Sequence, residues 1–229
     1  MILIHGAGGS HLYWPPRLRC LEGADVYALD LPGHGVSAGR GRNSIAAYRD
    51  FLAAFMDTLS LEKAVLAGHS MGGAIALSFA LTFPDRLEGM VLVSSGARLR
   101  VLPAILDGIL GDFESTVELI CKLAYGPEAP EELKEQGLKW LRQVPPRVLH
   151  GDFLSCDGFD VMDRLSEIQS PALVICGSED KLTPPRYSIY LRDRIPRAQL
   201  VLVEGAGHMV MLERPEEVGR AMAEFVASL

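Results

Sequence analysis

The stretch Lys63-Ala64-Val65-Leu66-Ala67-Gly68-His69-Ser70-Met71-Gly72-Gly73-Ala74-Ile75-Ala76-Leu77-Ser78-Phe79-Ala80 joins a short apolar run to a run of small residues through a serine between glycines. The run at 63–67 predicts a buried strand, and 73–80 predicts the first turns of a helix. A G-x-S-x-G match between strand and helix predicts a sharp turn that lifts the serine hydroxyl clear of a sheet. Glycines are expected on either side, because a Cβ there would collide with the neighbouring strand or helix. The helix that follows would present its first N–H groups to negative charge developing beside Ser70. The chemical reading of Ser70 is a nucleophile; the plain reading is a structural serine in a tight turn.

A serine hydroxyl is a poor nucleophile near neutral pH, so the first reading demands a base, an orienting acid and oxyanion-binding donors. Downstream, the apolar run Ala172–Cys176 enters Gly177-Ser178-Glu179-Asp180-Lys181-Leu182-Thr183-Pro184, a strand ending in an acidic turn. Residues 199–204 predict another strand, which ends in Gly205-Ala206-Gly207-His208. Both polar groups fall past the C-terminal ends of strands, where open α/β sheets form ligand crevices. His208 would take the Ser70 proton while Asp180 holds the other ring N–H. Glu179 is the nearest rival to Asp180, and a turn-forming aspartate and a loop histidine are the plain alternatives. One oxyanion donor would be the Met71 N–H; the other is expected in the loop His5-Gly6-Ala7-Gly8-Gly9-Ser10, which follows the apolar strand 1–4.

The loop at 5–9, Asp30-Leu31-Pro32-Gly33-His34-Gly35, Gly68 to Gly73, Gly177 to Asp180 and Gly207-His208 together resemble the α/β-hydrolase superfamily. The match spans nearly the whole chain, in the family's order of Ser, acid, His. It implies an α/β fold with a mostly parallel sheet of about six strands flanked by helices. The core would be residues 1–96 and 169–229, with a helical lid inserted at 97–168. The resemblance also implies the Ala7 N–H as the second oxyanion donor, with His5 more often supporting that loop than performing chemistry. A serine at position 70 separates the chain from family members that use an aspartate there, such as epoxide hydrolases and haloalkane dehalogenases. Relatives usually carry two further strands ahead of the glycine-rich loop. Without them the Asp25–Leu29 strand lies at a sheet edge, and the expectation is that this edge is shortened, covered by the segment around 10–20, or used in a dimer.

Between 97 and 168 strand signals give way to helical patches at Leu102–Leu110, Phe113–Tyr125, Glu131–Leu141 and Phe159–Leu165. Leu99, Val101, Leu102, Ile105, Leu106, Ile109 and Leu110 outnumber what a narrow helical seam needs. Together with Phe113, Trp140, Leu141, Phe153 and Met162 they are candidates for a substrate cavity, ordinary packing being the alternative. The expected substrate-binding set is His5, Gly6, Trp14, His69, Leu102, Ile105, Leu106, Trp140 and Met209. His150, Asp152 and Asp157 would contact substrate polar groups or form hinge hydrogen bonds. Outside this region, Ile45, Tyr48, Leu52, Phe55 and Leu59 trace one apolar stripe on a helix at 44–59 capped by Asn43 or Ser44. Val218, Met222 and Phe225 mark a C-terminal helix opened by Pro215.

With 229 residues, 48% of them hydrophobic, the chain can bury the core of a single domain. Its 22 basic against 29 acidic residues give a net charge of −7, which argues against binding nucleic acid or an anionic membrane. No apolar stretch approaches the roughly 18 residues that would suggest a bilayer span, and no signal peptide is evident. Four cysteines lack metal-site or paired spacing, which predicts reduced thiols and a cytoplasmic protein. Neither a metal nor any other cofactor is expected. The partner is expected to be a small-molecule ester, bound by a monomer or homodimer. The function expected is a serine hydrolase of carboxylic esters with small to medium apolar groups. Thioester, lactone or C–C bond hydrolysis comes next, and a non-catalytic small-molecule-binding relative is the reading from another class.

Overall fold

A computed structural model describes residues 1–21 and 23–229. In chain order it contains β1 (Ile2–Ile4), α1 (Pro16–Arg19), β2 (Tyr27–Ala28), α2 (Ile45–Thr58), β3 (Ala64–His69), α3 (Met71–Thr82) and β4 (Leu87–Val93). Four helices follow before the next strand: α4 (Pro103–Gly111), α5 (Phe113–Ala124), α6 (Glu131–Arg142) and α7 (Pro146–Asp157). The chain ends with β5 (Ala172–Gly177), α8 (Pro185–Arg194), β6 (Ala198–Val203), α9 (Val210–Glu213) and α10 (Pro215–Ala227). All six strands are parallel, in the spatial order β2-β1-β3-β4-β5-β6.

Parallel strands joined by helical crossovers are covered on both faces, which is why β3 and β5 are buried at every position. Leu66, Met90, Leu92 and Val174 join the side chains of α2, α3 and α8 in one core. Their neighbours Val65, Val91, Val93, Leu173 and Ile175 point the other way and pack with Leu18 of α1 and Val218, Met222 and Phe225 of α10. A third apolar cluster, built on Ile105, Ile109, Val117, Ile120, Leu141 and Leu149, belongs to the four helices between β4 and β5.

The edge strand β2 is short: two residues, hydrogen-bonded to β1 through the Tyr27 and Leu29 N–H groups. Trp14, Leu18 and Leu21 are buried in the same cluster that Val26 and Ala28 pack against. Trp14, expected at the substrate cavity, is instead fully buried in this core, in one apolar cluster with Leu18 and Leu21.

Helix α2 is capped by the Ser44 hydroxyl, which accepts the Ala47 N–H at 3.3 Å. Its buried stripe runs Ile45, Tyr48, Leu52, Met56, with Phe55 half-buried and Leu59 40% exposed. The expected stripe through Leu59 drifts off the core because 3.6 residues per turn favour a return at 56 after 52.

The segment 146–157 is a helix where the sequence suggests only a crossing. Two prolines and a glycine disguise it, but Pro146 occupies the first turn, where no N–H is needed. Gly151 lets α7 lie against the body, since a Cβ there would come within 2.7 Å of the Arg42 carbonyl. The expected helix at Phe159–Leu165 is a 3-10 turn at Met162–Glu167. Where the chain leaves the sheet and returns, the two segments pair: Arg98 bridges Asp160, and the Val161 N–H donates to the Ala97 carbonyl at 2.8 Å. Asp157 accepts the Val101 N–H at 3.0 Å across the same junction. Among the described residues no helix is long and apolar enough to cross a membrane.

The corrected stripe on α2 is testable by urea unfolding. Met56→Ala should cost about 2–5 kcal/mol and Leu59→Ala no more than about 0.5 kcal/mol; comparable losses would contradict a helix register that buries Met56 and exposes Leu59.

Candidate active site

Ser70 sits between β3 and α3 with φ of 51° and ψ of −113°. A side-chain-bearing residue rarely adopts a positive φ, and it does so here because both neighbours are pinned. The Ser70 N–H donates to the Val93 carbonyl of β4 at 2.9 Å, and its own carbonyl accepts from the Ser95 hydroxyl at 2.8 Å. Gly68 and Gly72 face one another so closely that a Cβ on Gly68 would strike the Gly72 carbonyl, and one on Gly72 would strike the Ile4 carbonyl of β1. Beyond the turn, every residue of α3 from Met71 to Leu77 is buried, so the helix is apolar all round rather than striped. Its first N–H groups, those of Met71 and Gly72, have no carbonyl one turn back within the helix.

Past β5, Asp180 is 3% exposed and saturated with donors. Its Oδ1 accepts the N–H groups of Leu182 at 2.9 Å and Thr183 at 2.8 Å, and its Oδ2 accepts the Thr183 hydroxyl at 2.8 Å. His208 Nδ1 lies 2.9 Å from Oδ2 and 3.1 Å from Oδ1. Facing a carboxylate, Nδ1 carries the ring proton, which leaves Nε2 to act as a base. Burial pushes the Asp180 carboxyl up, but the charge and hydrogen bond of His208 and the Thr183 donors outweigh it and hold Asp180 below the usual carboxylate range. Of the two candidate carboxylates, Asp180 is the one at His208; Glu179 is exposed.

The loop bearing His208 is tied down on both sides. Glu213, a buried carboxylate, accepts the N–H groups of Gly126 and Gly207, each at 3.0 Å, and the Met209 N–H donates to the Ala124 carbonyl at 3.1 Å. His69 donates from Nε2 to the His208 carbonyl at 3.0 Å. Burial, then the neighbouring His208, keeps the His69 imidazole neutral, with its pKa well below the usual value.

Ser70, His208 and Ala7 line one cavity of about 340 Å³ between the sheet and the helical insertion. His69, Leu99, Val101, Leu102, Ile105, Leu141, Phe153 and Met209 also line it. Tyr13, Tyr125, Leu182, Tyr187 and the basic residues Arg100, Lys181 and Arg186 line it as well, although no motif marks them. Thr183, within the acidic turn, lines it too.

Several expected substrate-binding residues stand elsewhere. His5 is fully buried; its Nδ1 donates to the Gly6 carbonyl at 2.8 Å and its Nε2 accepts the Leu31 N–H at 3.0 Å, so both ring nitrogens serve backbone. Gly6 backs the site rather than lining it, because a Cβ there would lie 2.7 Å from His69 Nδ1 and 3.2 Å from Ser70 Cβ. Trp140 packs its ring 5.9 Å from that of Tyr13, which is the ring that lines the cavity. Leu106, half-buried, is one position on from Ile105, about 100° around α4, and is outside the lining. Ile109, Leu110, Phe113 and Met162 are likewise outside it; Ile109 is buried in the insertion's own cluster. Among the described residues no group of three His, Cys, Asp or Glu side chains is disposed to hold a metal ion.

The chain matches the model of the alpha/beta hydrolase family over residues 1–221. It is 30% identical over 239 residues to the pimeloyl-(acyl-carrier protein) methyl ester esterase of Neisseria meningitidis, a match that covers 98% of this chain and 91% of that protein. It is 30% identical over 241 residues to the dihydrolipoyllysine-residue acetyltransferase component of the acetoin cleaving system of Pseudomonas putida, covering 99% of this chain but 63% of the relative's length. Among solved structures, a thermophilic esterase superposes with a TM-score of 0.90 at 37% identity, over 99% of this chain and 89% of that one.

The lowered Asp180 value gives a pH signature. A carboxyl whose folded pKa lies below its unfolded one stabilises the fold above the ordinary carboxylate range, and the contribution is lost as pH falls through the lowered value. Asp180→Asn should therefore lower the urea midpoint at about pH 7, with the gap from the parent closing below about pH 4. A gap of constant size across that range contradicts the assignment.

Proposed function

The chain belongs to the alpha/beta hydrolase family, and on that premise we propose that it is a serine hydrolase cleaving carboxylic esters of small to medium apolar substrates. What supports the reading most is the His208–Asp180 pair at 2.9 Å, beside the cavity that His208 and Ser70 both line. Ser70 Oγ attacks the ester carbonyl as His208 Nε2 removes its proton, and Asp180 stabilises the imidazolium that forms. The N–H groups of Met71 and Ala7 receive the oxyanion of the tetrahedral intermediate. Collapse expels the alcohol, which takes the proton from His208, and leaves an acyl group on Ser70. Water activated by the same imidazole then releases the acid and restores the serine. No step requires a metal or any other cofactor.

Residues 97–168 act as a lid in this scheme, with Leu102, Ile105, Leu141 and Phe153 receiving the apolar portion of the substrate. His69 steadies the base by holding the His208 backbone, and Thr183 steadies the acid. The free cysteines Cys20, Cys121, Cys156 and Cys176 fit a reducing compartment such as the cytoplasm.

Ser70→Ala should reduce hydrolysis of p-nitrophenyl butyrate on the order of 10⁶-fold, leave thermal unfolding intact, and abolish labelling by a fluorophosphonate probe. A parent protein that neither hydrolyses p-nitrophenyl acetate or butyrate nor takes the label sinks the proposal. Rapid labelling with slow turnover would instead mark a small-molecule-binding relative.

A further inference from the structure

Asp152 of α7 is fully buried, and its carboxylate is held by groups from three separate parts of the body. Oδ2 accepts the Gly8 N–H at 2.8 Å and lies 2.7 Å from His34 Nε2, while Oδ1 accepts the Tyr48 hydroxyl at 2.6 Å. The Tyr48 oxygen accepts the Arg42 N–H at 2.9 Å, which commits its own proton to Asp152. His34 Nδ1 faces the Pro32 carbonyl at 3.2 Å, so both ring nitrogens meet acceptors and only an imidazolium serves both. Burial pushes the His34 imidazole down, but the hydrogen bond and charge of Asp152 outweigh it and hold it above its usual value.

The contact with Gly8 is the informative one, because Gly8 follows Ala7 in the glycine-rich loop. The Gly6–Ala7 peptide is held at its carbonyl by His5 Nδ1 at 2.8 Å and the Gly9 N–H at 3.1 Å. Asp152 holds the next peptide at its nitrogen, so both planes flanking Ala7 are fixed. Gly8 adopts a φ of +63°, and a Cβ there would meet Leu149 Cδ1 at 2.6 Å and Leu141 Cδ1 at 2.7 Å, both from the helical insertion. Apolar packing of this kind could hold α7 in place unaided. A charged group beneath it is costly to bury, and one that spends a lone pair on a catalytic-loop N–H does something packing cannot.

We propose that Asp152, paired with His34, is a positioning residue through which the helical insertion holds the Ala7–Gly8 backbone so that the Ala7 N–H is set for an oxyanion before substrate arrives. The proposal rests on the ester-hydrolase reading of the same cavity. A shift of about an ångström at such a donor is enough to cost on the order of a hundredfold in rate.

Asp152→Asn and His34→Gln are to be compared with Tyr48→Phe, which removes the donor to Oδ1 and leaves the Gly8 contact in place. Asp152→Asn should lower kcat on p-nitrophenyl butyrate by about tenfold to a hundredfold with KM within about twofold, the split expected when a transition-state contact is lost. Amide hydrogen exchange in the segment 5–9 should speed by about tenfold or more, since a neutral amide oxygen shared with the His34 ring accepts the Gly8 N–H more weakly than the carboxylate does. Tyr48→Phe should lower thermal stability yet keep kcat within about threefold of the parent. Asp152→Asn with kcat unchanged, a loss confined to KM, or an equal kcat loss in Tyr48→Phe would each reduce Asp152 to a strut and overturn the proposal. Should Asp152→Asn not fold, His34→Gln carries the same two measurements. If the parent protein hydrolyses no ester, it is the ester reading that has failed. Hydrogen exchange then still decides the matter, and unchanged protection of residues 5–9 in the variant overturns the positioning role.

Discussion

At the turn from β3 into α3, three backbones approach more closely than any side chain allows. Gly68 lies against the Gly72 carbonyl, Gly72 against the carbonyl of Ile4, and Gly73 against the Ser95 side chain. This approach sets the height of the first turn of α3 above the sheet, and so forces Ser70, midway between Gly68 and Gly72, to a φ of 51°. A residue held in that region costs of order 1–3 kcal/mol. The cost is offset by α3, whose residues from Met71 to Leu77 are buried without exception and cannot move outward to relax the turn. The placing of Ser70 at the cavity and of the helix N-terminus beside it therefore have one cause.

That cause is local in sequence, which is why the elbow is legible there. Three glycines and a serine within six residues, between a strand pattern and a helix pattern, leave few alternative geometries. The pairing of Asp180 with His208 is legible for a related reason: each follows a strand, and adjacent parallel strands β5 and β6 deliver their C-terminal ends to the same edge. The remainder is not local. Asp152 is separated from Gly8, His34 and Tyr48 by 144, 118 and 104 positions, and no periodicity reports such contacts. Helix α7 is hidden because Pro145, Pro146 and Gly151 read as loop residues, although each has a specific place at a helix start or at a close crossing. For Trp14, Leu106 and Trp140, only residue type and neighbourhood point to the cavity. Which way such a side chain turns depends on packing that the chain reveals only when folded.

In the proposed reaction the body of the molecule would supply the chemistry and the insertion the shape. The four helices have their own apolar cluster, and the chain enters and leaves them through the paired segments at Ala97–Arg98 and Asp160–Val161. Yet the insertion is not a separate layer resting on the site. Met209, next to His208, donates its N–H to Ala124 at the end of α5, and Gly126 shares the Glu213 carboxylate with Gly207. Movement of α5 would thus disturb the backbone beside the proposed base, and movement of α7 would disturb the loop beside the proposed oxyanion donor. Substrate-dependent shifts in these helices would alter turnover as well as binding.

The two buried carboxylate–imidazole pairs show how one chemical unit is put to two uses. Asp180 and Asp152 are each nearly inaccessible, each accepts donors besides its histidine, and each lies within 2.9 Å of a ring nitrogen. The difference is at the far side of the ring. His34 turns its second nitrogen to the Pro32 carbonyl and has no exposed surface on its side chain, so its proton has nowhere to go and the pair holds backbone in place. His208 lines the cavity beside Ser70, and in the proposed reaction its second nitrogen would take the serine's proton. The partner of the remaining nitrogen separates the pairs. A fixed acceptor makes the ring a clamp; in the proposed reaction an open cavity makes it a base.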